Sequence, residues 1–537
     1  MTDLYDLVIK NGKIVNGAGN PWFKADIAVK DGRIVEIESL GNVEAAKVID
    51  ADGLVVSPGF VDLHNHSDFE VMLHPRAESI VRQGVTLIVV PNCGGGSAPL
   101  NEEMKEEMRK RGGVSVDWST FEEYLRKLDG VGSSINVAPL IGFGTIRRYV
   151  MGYEMRAPTM GELSQMREEV EKAMKAGAFG LTTGLRYVPQ SYANTEEVVE
   201  LAKVAAKYGG FYTTHQRDEG DLGDPIGSVK EVIGIGEKAG LPVNISHFKI
   251  LAKPFWSRCD EILRIIEEAR SRGVDITADQ YPYTASGTGP SAWIPKWASE
   301  GGNRRLLERL RDPELSSKIK EGLTEVMELR GGPEAALISS YPLNRAYVGK
   351  TVAEVAQALG GEPADVFFDL FKTLVEKVVA EEVRGSFGIV NFNMSEENAE
   401  AIMRKPWVMV STDSSIQAPS PGRVSTVHPR NYGTYPRVLG RYVREKKVIS
   451  LEEAVRKMTS LETQRLGIFD RGLIAKGMWA DITVFDPEKV IDRAEYVPQE
   501  ESQRYPEGIP YVIVNGVVTV ENGKHTGAQA GKILRKR

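Results

Sequence analysis

Apolar residues in this chain fall into two idioms. At both ends they come in short alternating runs broken by turn residues. Residues 7–17 (LVIKNGKIVNG) read as strands divided at Asn11-Gly12 and closed at Asn16-Gly17, and residues 25–37 read as a hairpin about Asp31-Gly32. Residues 480–486 and 511–520 repeat the idiom near the other end. In the middle, continuous apolar runs alternate with helical stretches. The runs are 54–63, 86–91, 135–141, 179–183, 211–214, 243–246, 276–278 and 408–411. Residues 195–208, after the N-cap Asn194, and residues 259–272 are typical of the helices between them.

This rhythm predicts an α/β fold: a parallel (β/α)8 TIM-like barrel over 55–469, with a small β-sandwich domain built from 1–54 and 470–537. The spacing fails once. Roughly 130 residues separate the seventh run from the eighth, far more than one crossover helix requires. They begin with the Gly/Ser/Pro-rich run 284–291, so residues 284–347 are expected to form an insertion over the barrel mouth, a lid or a fixed excursion.

Composition narrows the class. The chain of 537 residues is 42% hydrophobic and 26% charged, with a net charge of −7 and no basic block, which argues against a nucleic-acid partner. No apolar run reaches membrane-spanning length. The acidic start, Met1 to Asp6, lacks a signal-peptide core, so a cytoplasmic location is expected. Two cysteines, Cys93 and Cys259, cannot build a disulfide framework. Oligomeric state is not legible.

The chemistry lies just past the apolar runs, where barrels place their active sites. The first run ends in His64-Asn65-His66. Residues two apart on a strand face one side, so the two imidazoles aim together. The second run ends in Asn92-Cys93-Gly94, the fifth in His215, the sixth in His247 and the eighth in Asp413. Nitrogen, sulfur and carboxylate donors in this mixture suit zinc. Taken singly, each has an ordinary reading: a packed thiol, a satisfied core histidine, a capping aspartate. Their agreement on one predicted barrel end favours a metal site. Cys259 opens a predicted helix without such company and reads as structural.

The stretch PGFVDLHNHSD (58–68), the Asn92-Cys93-Gly94 turn, GLRYVP (184–189) and HPRNYGTYPRVLG (428–440) together resemble the N-acyl-D-amino-acid deacylases, the D-aminoacylase branch of the amidohydrolase superfamily. The likeness covers nearly the whole chain. It implies one tightly held Zn2+ on Cys93, His215 and His247, and a second, weaker position on His64, His66 and Asp413. It implies Asp413 as the catalytic proton carrier, Tyr187 beside the scissile amide, and Lys249, Tyr281 and Arg430 on the substrate carboxylate. The implied reaction is hydrolysis of a linear N-acyl-D-amino acid, a small-molecule substrate, or of a short peptide with a D-residue.

Three features depart from the family pattern: Pro91 before Asn-Cys-Gly, the turn Ser411-Thr412-Asp413-Ser414, and the loop 417–422. None removes a ligand; they leave side-chain and acyl preference open. A cyclic amidase of the hydantoinase or dihydroorotase kind would carry a metal-bridging lysine after the fourth strand, and AFGLTTG (178–184) has none. A deaminase or a non-catalytic scaffold on the same fold are the remaining alternatives.

Overall fold

The computed structural model describes residues 4–418, 427–497 and 499–536, so residues 419–422 of the departing loop lie outside it. Both chain ends enter one nine-stranded sheet. From the N-terminal side come Leu7–Ile14, Phe23–Lys30, Arg33–Glu38, Val48–Asp50 and Val55–Pro58. From the C-terminal side come Ile482–Phe485, Tyr511–Val514, Val517–Glu521 and Lys524–His525. The halves join where Val55–Pro58 pairs antiparallel with Ile482–Phe485. Asp31-Gly32 and Asn515-Gly516 close hairpins with positive φ at both residues, as tight primed turns require. Asn11-Gly12 does not divide two strands as its sequence suggests. Leu7–Ile14 is one strand with a register shift between Ile9 and Gly12, where Asn11 takes φ 61° and its N–H meets Asp26 Oδ1 at 2.8 Å.

The first apolar run, 54–63, is likewise not one strand. Val55–Pro58 lies in the nine-stranded sheet and Phe60–Asp62 in a parallel one. Gly59 stands between them, where a Cβ would lie 2.3 Å from the Thr86 side chain, so only glycine fits the crossing. The terminal sheet therefore runs to Pro58, past the expected limit at 54.

The middle of the chain forms parallel strands buried on both faces, which explains their unbroken apolar runs. Phe60–Asp62, Val85–Val90 and Asn136–Pro139 form one sheet. Ile141–Gly142, Gly180–Gly184, Phe211–His215, Val243–Ile245, Ile276–Gln280 and Val408–Val410 form another, in that order. Only Leu140 separates the two along the chain, and its N–H reaches Val90 O at 2.7 Å. At the opposite margins Asp413 N–H donates to His64 O at 2.9 Å, and His66 N–H to Ser414 O at 2.8 Å. Helices cover the strands. Met160–Ala176 is typical: a Thr159/Glu162 capping box starts it, left-handed Gly177 ends it, and Met166, Val170, Ala173 and Met174 turn inward.

The inserted segment has its own antiparallel sheet, Ser286–Thr288, Gly388–Asn391 and Ala336–Ser340, and its own core around Trp293, Leu310, Leu323, Ile338, Phe367 and Ile389. It thus extends to Asn391, beyond the limit of 347 expected from sequence. Helices Val352–Leu359 and Pro363–Val379, which look like ordinary barrel helices in sequence, bury their apolar faces in this second core. Among the described residues no helix is long and apolar enough to cross a membrane.

Candidate active site

Five parallel strands deliver donors to one spot. His64 and His66 lie just beyond Phe60–Asp62 rather than within it; an isolated parallel bridge between Asn65 and Ser414 keeps both imidazoles on the same side. Cys93 follows Val85–Val90, His215 ends Phe211–His215, His247 follows Val243–Ile245 and Asp413 follows Val408–Val410. Cys93, His247 and Asp413 have φ of 52°, 37° and 47°. Left-handed backbone is unfavourable for residues with a Cβ and is retained where the surroundings enforce it, here to turn each donor back over the strand end.

Cys93 Sγ lies 3.4 Å from His64 Nε2, 3.5 Å from His247 Nε2 and 3.9 Å from His215 Nδ1. Tetrahedral zinc with bonds of about 2.0–2.3 Å spaces neighbouring donors about 3.3–3.6 Å apart, so His64 and His247 stand at that spacing from Cys93 and His215 lies beyond it. Among the described residues three compact donor triplets emerge: His64, Cys93 and His247; His64, His66 and Asp413; and His215, Glu219 and His247. His64 therefore stands between both positions, and His215 is the more distant partner of Cys93. Burial works against the Cys93 thiolate, but His64 and His247 outweigh it and hold the thiol well below its usual range. His66 Nε2 meets Asp413 Oδ1 at 3.1 Å; burial opposes its charge, yet this contact raises His66 to about 9.

Asp413 is also paired with Arg430, Nη1 to Oδ2 at 2.8 Å. Desolvation would raise the carboxyl; Arg430 and His247 overcome that and keep it ionised. Arg430 opens helix Arg430–Arg437, and the approach of Nη1 to Asp413 is off the hydrogen-bond direction, so Nη1 and Nε are buried without acceptors. Tyr281 lies beneath, its ring 4.7 Å from the Arg430 guanidinium and 5.7 Å from Lys249 Nζ. Tyr187 OH stands 3.4 Å from His215 Nδ1, and burial together with the charge of Cys93 keeps that hydroxyl protonated. His428 accepts from Arg430 N–H at 3.1 Å and meets Ala285 O at 2.9 Å, so it sets the start of the Arg430 helix.

Lys249 is more engaged than its sequence position suggests. Its Nζ donates to Glu219 Oε1 at 2.7 Å and to His247 O at 3.1 Å, and lies 2.8 Å from His247 Nδ1. Glu219 is one residue that sequence reasoning missed. Buried, with Oε1 3.1 Å from His247 Nδ1 and Oε2 3.6 Å from His215 Nε2, it orients two imidazoles and balances Lys249. The one available signal was its position four residues after His215 in a run of charge, HQRDEGD, that would otherwise be solvated. Asp62 was missed too. It accepts from Thr412 N–H at 2.9 Å, Thr412 Oγ1 at 2.6 Å and Asn65 Nδ2 at 2.8 Å, tying the His-x-His turn to the Asp413 turn.

These groups open into a cavity of about 470 Å³, lined by His66, Cys93, Tyr187, Lys249, Asp413 and Arg430 among others. A metal-donor cluster, an ionised carboxylate and unpaired guanidinium N–H groups share this space. The arrangement can activate water, move a proton and hold an anion.

Comparison with known proteins agrees with this chemistry. The amidohydrolase family model matches residues 47–520. The chain is 32% identical to the D-aminoacylase of Alcaligenes xylosoxydans xylosoxydans, over 99% of this chain and 98% of that protein. It is also 32% identical to the N-acyl-D-glutamate deacylase of the same organism, over 100% and 98%. The crystal structure of N-acyl-D-glutamate deacylase from Bordetella bronchiseptica, complexed with zinc and a phosphonate mimic of the tetrahedral intermediate, is similar with a TM-score of 0.82. It is 30% identical, covering 99% of this chain and 100% of that one.

Proposed function

The chain belongs to the amidohydrolase family, and from that premise we propose that it hydrolyses the amide bond of N-acyl-D-amino acids, releasing a carboxylate and the free D-amino acid with zinc as cofactor. One observation carries the reading: the donor cluster, Asp413 and the guanidinium of Arg430, whose Nε and Nη1 make no hydrogen bond, face a single cavity. Bonds of the His64 and Asp413 turns at one margin, and of Leu140 at the other, support taking the two parallel sheets as one barrel beside the small terminal β-domain, with eight strands when Asn136–Pro139 and Ile141–Gly142 count as one.

Cys93, His215 and His247 would hold the tight zinc, with His64, His66 and Asp413 holding a weaker second ion. Zinc supplies a nucleophilic water at neutral pH and polarises the amide carbonyl. Asp413 Oδ1 takes the proton from the attacking water and later delivers it to the departing amine nitrogen. Tyr187 OH donates to the carbonyl oxygen as charge develops there. The substrate α-carboxylate replaces Asp413 as the partner of Arg430, with Tyr281 and Lys249 beneath it. Glu219 holds His215 and His247 in place. The α-carboxylate and the reacting carbonyl fix two points of the substrate and its side chain the third, which makes the site selective for one enantiomer; the relatives point to D.

The test is zinc content with hydrolysis of N-acetyl-D- and N-acetyl-L-amino acids, in the native protein and in Asp413→Asn. About one firmly held zinc per chain is expected, with D-selective turnover. The substitution should lower kcat by at least ~10²–10⁴ with the tight zinc kept. Equal turnover of both enantiomers, active protein without zinc, or near-normal kcat in Asp413→Asn would each contradict the proposal.

A further inference from the structure

Two of the cations lining the cavity are already matched, Lys249 by Glu219 at 2.7 Å and Arg430 by Asp413 at 2.8 Å. Besides Lys249 and Arg430, the cavity is lined by Arg186 and Arg330. Arg186 follows the strand Gly180–Gly184, and Arg330 closes the helix Pro313–Leu329 of the inserted segment. Their side chains are 9% and 5% exposed. One carboxylate, Asp221, lies between them. Arg330 Nη2 and Nε reach its Oδ2 at 2.6 and 3.1 Å, and Arg186 Nη2 approaches the same oxygen at 3.2 Å without hydrogen-bond geometry. Two guanidiniums over one carboxylate leave an excess positive charge. Arg186 Nε and Nη2 and Arg330 Nη1 are buried with no acceptor.

Leaving guanidinium N–H groups buried and unpaired is costly, and a strut joining the insertion to the strand ends would need only one arginine. The rest of the lining agrees. Ser286, Thr288, Ser339 and Ser340 face the cavity, and among the described residues its aliphatic lining is Leu251, Ala292 and Val427. An aliphatic or aromatic substrate side chain would find little apolar surface there.

We propose that Arg186 and Arg330 together bind a second carboxylate of the substrate, separate from the α-carboxylate held by Arg430. This rests on the deacylase reading and narrows it to dicarboxylic substrates. The group is the side-chain carboxylate of an N-acyl-D-glutamate or N-acyl-D-aspartate, or the terminal carboxylate of a diacid acyl chain. A guanidinium pair with free N–H groups donates to either carboxylate bidentately.

The experiment compares acid and amide isosteres on the zinc-loaded protein. N-acetyl-D-glutamate is set against N-acetyl-D-glutamine, N-acetyl-D-aspartate against N-acetyl-D-asparagine, and N-succinyl-D-alanine against N-succinamoyl-D-alanine. The acid should exceed its amide in kcat/KM by roughly 10- to 150-fold, the worth of one charge-assisted hydrogen-bonded contact. Preference in the first two pairs places the carboxylate on the amino-acid side chain, and preference in the third places it on the acyl group. In Arg330→Met the ratio should fall towards one. Should that variant not fold, Arg186→Met reads the same effect with the Arg330–Asp221 pair intact. Ratios near one in every pair, or ratios unchanged by both substitutions at normal zinc content, overturn the proposal. If neither acids nor amides are hydrolysed, the deacylase reading fails by itself. The anion site is then read by calorimetric titration with D-glutamate against D-glutamine, where equal affinity overturns it.

Discussion

Glu219→Gln isolates the orienting of the zinc ligands from the donors themselves. The substitution keeps the shape and removes the charge. Glu219 is 3% exposed; its Oε1 accepts from Lys249 Nζ at 2.7 Å and lies 3.1 Å from His247 Nδ1 in a charge contact, and Oε2 stands 3.6 Å from His215 Nε2. A hydrogen bond to a charged group is worth about 1 kcal/mol more than one between neutral groups. The charge contact with His247 and the looser one with His215 together give about 1.5 kcal/mol, or roughly 10-fold in zinc affinity. Losses of about 10- to 100-fold are usual when such outer partners of a ligand are changed. Lys249 would also be left buried without its counter-charge, at a cost of about 3–5 kcal/mol of stability. Chelator competition at fixed pH reads the first effect, and thermal unfolding of the zinc-free protein reads the second. We predict zinc binding weakened by about 10- to 100-fold in a protein that still folds. Affinity within threefold of the native value would refute the orienting role. A loss far beyond 100-fold would mean that Glu219 is itself a ligand.

Two further predictions address the scaffold. In Gly184→Ala the new Cβ would meet Cys93 O at 2.4 Å and Tyr187 Cδ2 at 2.8 Å, so it should cost about 1–3 kcal/mol and weaken zinc binding; in Gly234→Ala, where nothing lies within 4 Å, neither penalty should appear in unfolding or metal titrations. Burial would raise the Asp221 carboxyl, but Arg330 and Arg186 bring it down to about 2 from its usual 3.8. A depressed carboxyl stabilises the fold above its unfolded value, and the contribution, on the order of 2 kcal/mol, fades as pH falls through about 2. The stability difference between native protein and Asp221→Asn, from urea unfolding at pH 5 down to pH 2, should shrink accordingly, and a constant difference would reject this account.

Local periodicity by itself located the buried apolar runs of the middle of the chain and the polar residues that follow them. His64, Cys93, His215, His247 and Asp413 each follow an apolar run, and period and position suffice to single them out, because a donor after a buried strand breaks the pattern that burial imposes. The hairpins at Asp31-Gly32 and Asn515-Gly516 were legible for a similar reason, since positive φ at both turn residues selects these residue types.

What only the tertiary structure decided depends on contacts between distant residues. The run 54–63 contributes to two sheets because Gly59 has to pass Thr86. The insertion extends to Asn391 because helices with ordinary amphipathic patterns bury their apolar faces in a second core, and a pattern states that a face is buried but not against what. Glu219 and Asp62 look like surface carboxylates in sequence; burial beside particular partners makes them organisers of the site. Arg186 and Arg330 are brought to one carboxylate by packing of the insertion over the strand ends. A buried charge is stable only beside its partner, and partnership is a property of the folded chain, not of its local pattern.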